Sequence, residues 1–218
     1  MDRIIGKLCK KFIKIGLSIF YDIHVTGLEN IPKKGQAIII MNHQSFLDAP
    51  ILYAYVKRDI KFLAYYKLFN IKFLGKILKF HHDIPIKDKD LNAVKQAFGQ
   101  CCDVLNANQL LCMFPEGSLT PDGQVHIFKP GIKHLWAQCP SPIIPVAIEG
   151  AYETIFSRNA LIPHRFILRN PFRRKKIYIN IGKKYIQQVD TDALRSKVVA
   201  LRQEIQSVFT KSKNKDLI

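Results

Sequence analysis

Acidic residues are scarce in this sequence of 218 residues: 17 Asp and Glu stand against 34 Lys and Arg, a formal net charge of +17. A field that basic favours anionic partners, whether nucleic acid, anionic lipid or a phosphorylated substrate. Composition alone does not choose among them. Cysteines are few and ill-spaced. Cys9, Cys101, Cys102, Cys112 and Cys139 are odd in number and contain no Cys-x-x-Cys. That argues against a disulfide framework and a structural zinc site, and leaves ordinary thiols in a reducing compartment. No apolar run reaches the ~18 residues of a membrane-spanning helix, so a membrane would be met from one side. No small-residue cleavage pattern marks a secretory leader near the start. Nor is there a nucleic-acid signature, a Gly-x-Ser-x-Gly elbow for a serine nucleophile, or an internal repeat.

What is present is a core. Hydrophobic residues make up 48% of the chain, enough for one folded domain. Residues 3–20 read as a two-faced helix. Arg3, Lys7, Lys10, Lys11 and Lys14 gather on one side, and Ile4, Ile5, Leu8, Phe12, Ile15 and Ile19 on another. That pattern suits a helix lying in a headgroup layer, or one packed on the domain's own core. From residue 22 onward, strand-like runs (37–41, 60–65, 82–86, 110–114, 142–148, 176–182) alternate with helix-like ones (46–57, 68–79, 90–107, 130–138, 192–210). The near-continuous apolar strands are those of a sheet covered on both faces. The expected fold is therefore a single α/β domain over 22–210. Its central sheet is mostly parallel or mixed and flanked by helices; an amphipathic segment (1–21) precedes it and a polar, frayed tail (211–218) follows. Asp190 and Thr191 are the caps expected for the last helix.

Two stretches carry chemistry. Asn42-His43-Gln44-Ser45-Phe46-Leu47-Asp48 follows strand 37–41, so its polar residues emerge at a strand end, where α/β sheets place their sites. A turn that returns the Asp48 carboxylate to His43 would make a base with a fixed tautomer. Ser45-x-x-Asp48 also fits a helix capping box, and local chemistry leaves both readings open. The second stretch, Phe114-Pro115-Glu116-Gly117-Ser118, follows strand 110–114 and is built for a tight loop. Glu116 and Ser118 read as substrate-positioning groups or as parts of an ordinary turn. His81 and His82 read as core or surface residues.

Together, Asn-His-x-x-x-x-Asp and, about 65 residues later, Phe-Pro-Glu-Gly-Ser resemble the glycerolipid acyltransferase family, the 1-acylglycerol-3-phosphate acyltransferases. Phe128-Lys129-Pro130-Gly131 is similar to its Lys-x-Gly block and Pro142-Ile143-Ile144-Pro145-Val146 to its closing motif, so the resemblance spans about residues 22–185. It implies that His43 is the general base for an acceptor hydroxyl and Asp48 its orienting partner. The acyl group would pass directly from a thioester of coenzyme A or acyl carrier protein, with no cofactor and no metal. Glu116, Gly117, Ser118 and Lys129 would hold the substrate, and Pro142 and Pro145 would shape an acyl pocket. The product would be phosphatidate, made in phospholipid biosynthesis.

One block departs from the pattern. Asp88 stands in Ile84-Pro85-Ile86-Lys87-Asp88-Lys89 about where the family has a phosphate-binding arginine. Lys87 or Lys89 could supply that charge, and Lys67 is a further option, though a lysine lacks arginine's fork. Another lysophospholipid, or a lyso-ornithine-type lipid, is thus an alternative acceptor. From a different class, a non-catalytic basic protein binding lipid or nucleic acid is the rival, and it would need no His–Asp pair. The dense cationic run from Arg165 to Lys176 and the amino-terminal helix point to an anionic membrane surface, approached peripherally from the cytoplasmic side, with no nucleic-acid partner.

Overall fold

The apolar run Ala37–Met41 forms strand β2, and its alternation sets the layers of the fold. Ala37, Ile39 and Met41 face one layer with Leu17, Ile51, Leu52 and Tyr53. Ile38 and Ile40 face the other with Phe98, Leu105, Ile132, Leu135, Leu194 and Val198. The structure is a computed structural model and describes residues 3–152, 154, 157, 174–186 and 189–215.

In chain order the elements are α1 (Arg3–Phe20), β1 (Tyr21–Thr26), β2, α2 (Asp48–Tyr55), β3 (Ile60–Tyr65), α3 (Leu74–His81), β4 (Ile84–Ile86), α4 (Leu91–Asn106), β5 (Leu110–Met113), α5 (Gly131–Gln138), β6 (Ile143–Glu149), β7 (Lys175–Ile181) and α6 (Thr191–Lys215). Among the described residues one sheet of seven strands has the order β1-β7-β6-β2-β5-β3-β4. β6, β2, β5, β3 and β4 are mutually parallel; β7 runs against β6 and carries β1 with it. This is the mixed α/β sheet flanked by helices that the alternation implied. The parallel block brings the carboxyl ends of β2 and β5 side by side, and the segments 42–48 and 114–118 leave from those ends.

Several boundaries differ from the sequence reading, each for a physical reason. β1 was not expected, because Asp22 and His24 break its apolar pattern; an edge strand tolerates them. The run 68–79 is not one helix but a 3-10 turn (Tyr66–Asn70) and then α3. Gly75 lies so close to the Phe69 carbonyl that a Cβ would sit 2.1 Å from its oxygen, an approach only glycine permits. α2 starts at Asp48, not 46, because the preceding residues form the site loop. α6 runs to Lys215, so the tail drawn from 211 is helical for most of its length. The cap on α6 is Asp190, whose carboxylate accepts from the N–H groups of Asp192 and Ala193. Of the basic run 165–176, residues 165–173 lie outside the described residues.

α1 packs on α2 in an unexpected orientation. Gly6, Lys10, Ile13 and Leu17 turn inward. Lys10, placed by the sequence on an exposed basic face, donates to the carbonyls of Val56 and Arg58, each at 2.7 Å, and lies over the Tyr53 ring. It closes the carboxyl end of α2, where a cation opposes the helix dipole. The aliphatic face points outward: Ile4, Ile5, Leu8, Phe12, Ile15 and Ile19 are 41–73% exposed. His81 is a core histidine, as read, with Nδ1 2.8 Å from the Asp83 carboxylate and its ring edge-on to Tyr53.

Candidate active site

β2 ends in Met41, and the sheet pairing is prolonged by a side chain. Asn42 exchanges two hydrogen bonds with the backbone of Ile148, so His43 leaves the sheet from a fixed point. Gln44 next ties the loop to its neighbours: its Oε1 accepts from the N–H groups of Ala151 and Tyr152, and its Nε2 donates to the Gly123 carbonyl. Ser45 Oγ lies 2.9 Å from Thr154 Oγ1 and accepts from the N–H of Leu47.

The turn then returns Asp48 to His43. Nδ1 of His43 is 2.9 Å from Asp48 Oδ2, and the same oxygen accepts from the N–H groups of Gln44 at 2.7 Å and Ser45 at 2.9 Å. A carboxylate oxygen receiving two backbone donors accepts from the ring as well. This fixes the proton on Nδ1 and leaves Nε2 free as a base. The turn into α2 is also capped by the same pair: Asp48 Oδ2 accepts the Ser45 N–H and Ser45 Oγ accepts the Leu47 N–H, so the capping and dyad readings coexist in one carboxylate. Asp48 is wholly buried, and its Oδ1 has no hydrogen-bond partner. Burial pushes its carboxyl above the ordinary range, opposed by the hydrogen bond and charge of His43 and by the two N–H groups. The amino end of α2 favours the charged form further. The His43 ring stacks on Phe114 with centroids 3.9 Å apart, and its side chain keeps 18% exposure.

Glu116 lies elsewhere than the sequence suggested. It is buried, and its two oxygens accept from backbone N–H groups, Oε1 from His43 at 3.1 Å and Oε2 from His126 at 3.3 Å. Desolvation raises its pKa, against those two N–H bonds. It holds the backbone of the base. Thr120 completes the clamp by donating its N–H to the His43 carbonyl at 2.8 Å. Asp122, a residue the sequence reading passed over, gathers Thr120 Oγ1, the Gln124 N–H and His126 Nε2. The N–H of Gln124 and the His126 bond hold its carboxyl down at about 2.

Gly117 and Ser118 lie beside the dyad loop. Gly117 has φ +71, and a Cβ there would meet Lys129 Nζ at 2.7 Å, so the Lys129 side chain lies across this glycine. Lys129 Nζ is also 3.5 Å from Asp88 Oδ2. Asp88 and Lys129, far apart in sequence, are thus neighbours at the rim. Lys87 instead pairs with Asp90, the cap of α4, at 3.1 Å. Lys67 sits on the 3-10 turn near the Tyr65 ring, and Lys89 has no ion pair among the described residues. Neither joins the His43 cluster. Pro142 belongs to the far end of the sheet, where its carbonyl accepts from Ile38, and Pro145 pairs mid-strand with Ile40. The acyl-pocket role expected of Pro142 does not fit that place.

Burial pushes the Cys101 thiol up to about 12 and raises that of Cys112 beyond it, so neither yields a thiolate near neutral pH.

A family model described as Acyltransferase matches residues 22–149. The chain is 29% identical over 144 residues to the chloroplastic 1-acyl-sn-glycerol-3-phosphate acyltransferase of Arabidopsis thaliana, covering 66% of this chain and 40% of that protein. It is 33% identical over 119 residues to the 1-acyl-sn-glycerol-3-phosphate acyltransferase of Helicobacter pylori, covering 53% and 50%. The chain thus spans half or less of these relatives' lengths. Its fold is similar to the crystal structure of the 1-acyl-sn-glycerophosphate acyltransferase PlsC from Thermotoga maritima. The TM-score is 0.71 at 23% identity, over 94% of this chain and 79% of that one.

Proposed function

Because the chain belongs to the acyltransferase family, we propose that it moves a fatty acyl group from a thioester to the free hydroxyl of a lysophospholipid, with 1-acyl-sn-glycerol-3-phosphate as the favoured acceptor. The observation that carries this reading is the His43–Asp48 pair, a buried carboxylate fixing the tautomer of a half-open imidazole at a strand end.

His43 Nε2 takes the proton of the acceptor hydroxyl as its oxygen attacks the thioester carbonyl. The new C–O bond forms, the C–S bond breaks, and the proton passes from His43 to the departing thiolate. Asp48 stabilises the imidazolium in between. No acyl-enzyme is needed, which agrees with the raised thiols of the buried Cys101 and Cys112. The thioester, of coenzyme A or acyl carrier protein, is a co-substrate and not a resident group.

Lys129 is the cation best placed for the acceptor phosphate, since it lies across Gly117 on the loop beside His43. Its partner Asp88 supports a second reading: an exposed carboxylate at this rim suits a cationic headgroup such as the amine of a lyso-ornithine lipid. The acceptor is met at a bilayer, with the outward aliphatic face of α1 in the headgroup layer on the cytoplasmic side. Among the described residues no helix is long and apolar enough to cross a membrane.

The test is free-thiol release by the purified full chain, with acyl-CoA and acyl carrier protein compared as donors and lysophosphatidate and lyso-ornithine lipid as acceptors. Acceptor-dependent release with lysophosphatidate is expected. Release with no lysolipid from either donor would overturn the reading.

A further inference from the structure

One surface is accounted for by neither the dyad nor α1. Between the 3-10 turn and β4 the chain exposes Ile71, Phe73, Ile77 and Phe80, at 51%, 81%, 59% and 57%. Ile77 and Phe80 lie on α3, and Phe73, its cap residue, precedes them at i, i+4, i+7 spacing, so the three make one apolar stripe. Lys76 and Lys79, one residue earlier in each case, lie about 100° around the helix, with Lys72 in the turn before it. Gly75 and His81 face inward. Leu74 and Leu78 are half-buried, so α3 carries apolar residues on its packed side and a second apolar stripe outward, which an ordinary surface helix lacks.

Charge says what covers it. No Asp or Glu occurs between Asp59 and Asp83, while five lysines do: Lys61, Lys67, Lys72, Lys76 and Lys79. Among the described residues no carboxylate pairs with Lys72, Lys76 or Lys79. α1 has the same character, with no acid between Asp2 and Asp22. The two helices also share a layer. Tyr53 of α2 is touched from α1 by Lys10, 4.5 Å from its ring centre, and from α3 by His81, 4.8 Å between ring centres. α1 and α3 therefore bracket α2, the helix whose first residue is Asp48.

We infer that the α3 stripe is a second lipid contact, which docks with α1 on an anionic bilayer so that the bilayer meets the layer holding α2. The inference extends the proposed interfacial role of α1. Phenylalanine and isoleucine enter the boundary of the acyl chains, and the flanking lysines meet anionic headgroups. Two separated contacts also fix orientation, which one helix alone leaves free to roll. The dyad end of α2 is then held towards the layer that holds the acceptor.

The experiment uses the full chain with an added tryptophan, Phe73→Trp, and vesicles of phosphatidylcholine and phosphatidylglycerol whose acyl chains are brominated. The native Trp136 is on α5 in the opposite layer, donating to the Ser141 carbonyl, and serves as the unquenched control. Quenching of the added emission is expected on anionic vesicles and should weaken with salt. If the added indole stays unquenched in protein that still sediments with the vesicles, the inference is overturned and α1 is left as the contact. As a second arm, Phe73→Ser combined with Ile77→Ser and Phe80→Ser should lower vesicle partitioning at least tenfold. Thermal unfolding and turnover of a short-chain soluble acceptor should be kept. Unchanged partitioning, or sedimentation velocity showing that the stripe joins two copies of the chain, overturns it too. Absent turnover in the wild type would count against acyl transfer and not against the lipid contact, which the quenching reads independently.

Discussion

Glu116 grips the backbone of His43: its Oε1 accepts the His43 N–H at 3.1 Å across 73 positions of sequence. The two motifs are thus one construction, in which the second holds the first. With Oε2 on His126 and the Thr120 N–H on the His43 carbonyl, the base is fixed on both sides of its peptide. Glu116→Gln replaces one accepting oxygen with an NH2 that faces a backbone donor. An unsatisfied buried donor costs about 1–3 kcal/mol, so the variant should lose thermal stability and kcat together. KM for the acceptor should move little. A raised KM with unchanged kcat and stability would show that Glu116 meets the substrate directly, as the sequence alone suggested.

General-base catalysis contributes about 10²–10⁴ in rate, and His43→Ala should lose at least that while staying folded. Asp48→Asn should lose less, since Nε2 remains. It should also destabilise the loop, because the amide must still accept from Gln44 and Ser45 at a wholly buried position. Single-turnover thiol release beside circular dichroism separates the two effects. Undiminished turnover by His43→Ala would falsify the mechanism.

Lys10 gives a pH prediction. Burial lowers its amine to about 8 from 10.5, with Asp59 opposing. Between those values the unfolded chain holds a proton that the folded chain has released, so unfolding takes up a proton. Raising the pH from about 8 to 10.5 therefore stabilises the fold, and the contribution is flat below and above that window. Denaturant melts of the wild type and Lys10→Met at intervals from about pH 7 to 10.5 isolate it: the difference should shift in favour of the wild type as pH rises. A flat difference would mean that Lys10 keeps its proton at the carboxyl end of α2.

β2 and β3 were legible in the sequence to the residue, because 37–41 and 60–65 are bounded apolar runs in a doubly covered sheet. The pairing of His43 and Asp48 was legible as a spacing, and only the structure shows that one carboxylate serves both readings, its Oδ2 meeting the His43 ring and the Ser45 N–H. The hold of Glu116 on His43 was not legible, because its partners are backbone donors from two other loops, which no local pattern encodes. Lys10 was misread for a related reason. Helical periodicity assigns a face, but only packing on α2 reveals that Gly6 and Lys10 join Ile13 and Leu17 on the buried face while most of the aliphatic residues look out.

Lys129 Nζ lies 3.5 Å from Asp88 Oδ2, and the two make opposite demands on an acceptor headgroup. Lys129 crosses Gly117, next to the Glu116 that holds His43, whereas Lys87 is engaged with the α4 cap. A hydrogen bond to a charged group contributes about 1.5–3 kcal/mol, or roughly tenfold to a hundredfold in affinity. Lys129→Ala should raise KM for lysophosphatidate by that order and leave the donor's KM nearly unchanged. Lys87→Ala and Lys89→Ala should do neither. Asp88→Asn frees Lys129 from its partner and should lower KM for the phosphate acceptor, because the lysine then has one anion to meet instead of two. The opposite pattern carries as much meaning. If Asp88→Asn abolishes turnover of a lyso-ornithine lipid while Lys129→Ala leaves lysophosphatidate untouched, the carboxylate receives a cationic headgroup. The lysine would then only position it, and the preferred acceptor changes while the transfer chemistry at His43 stands.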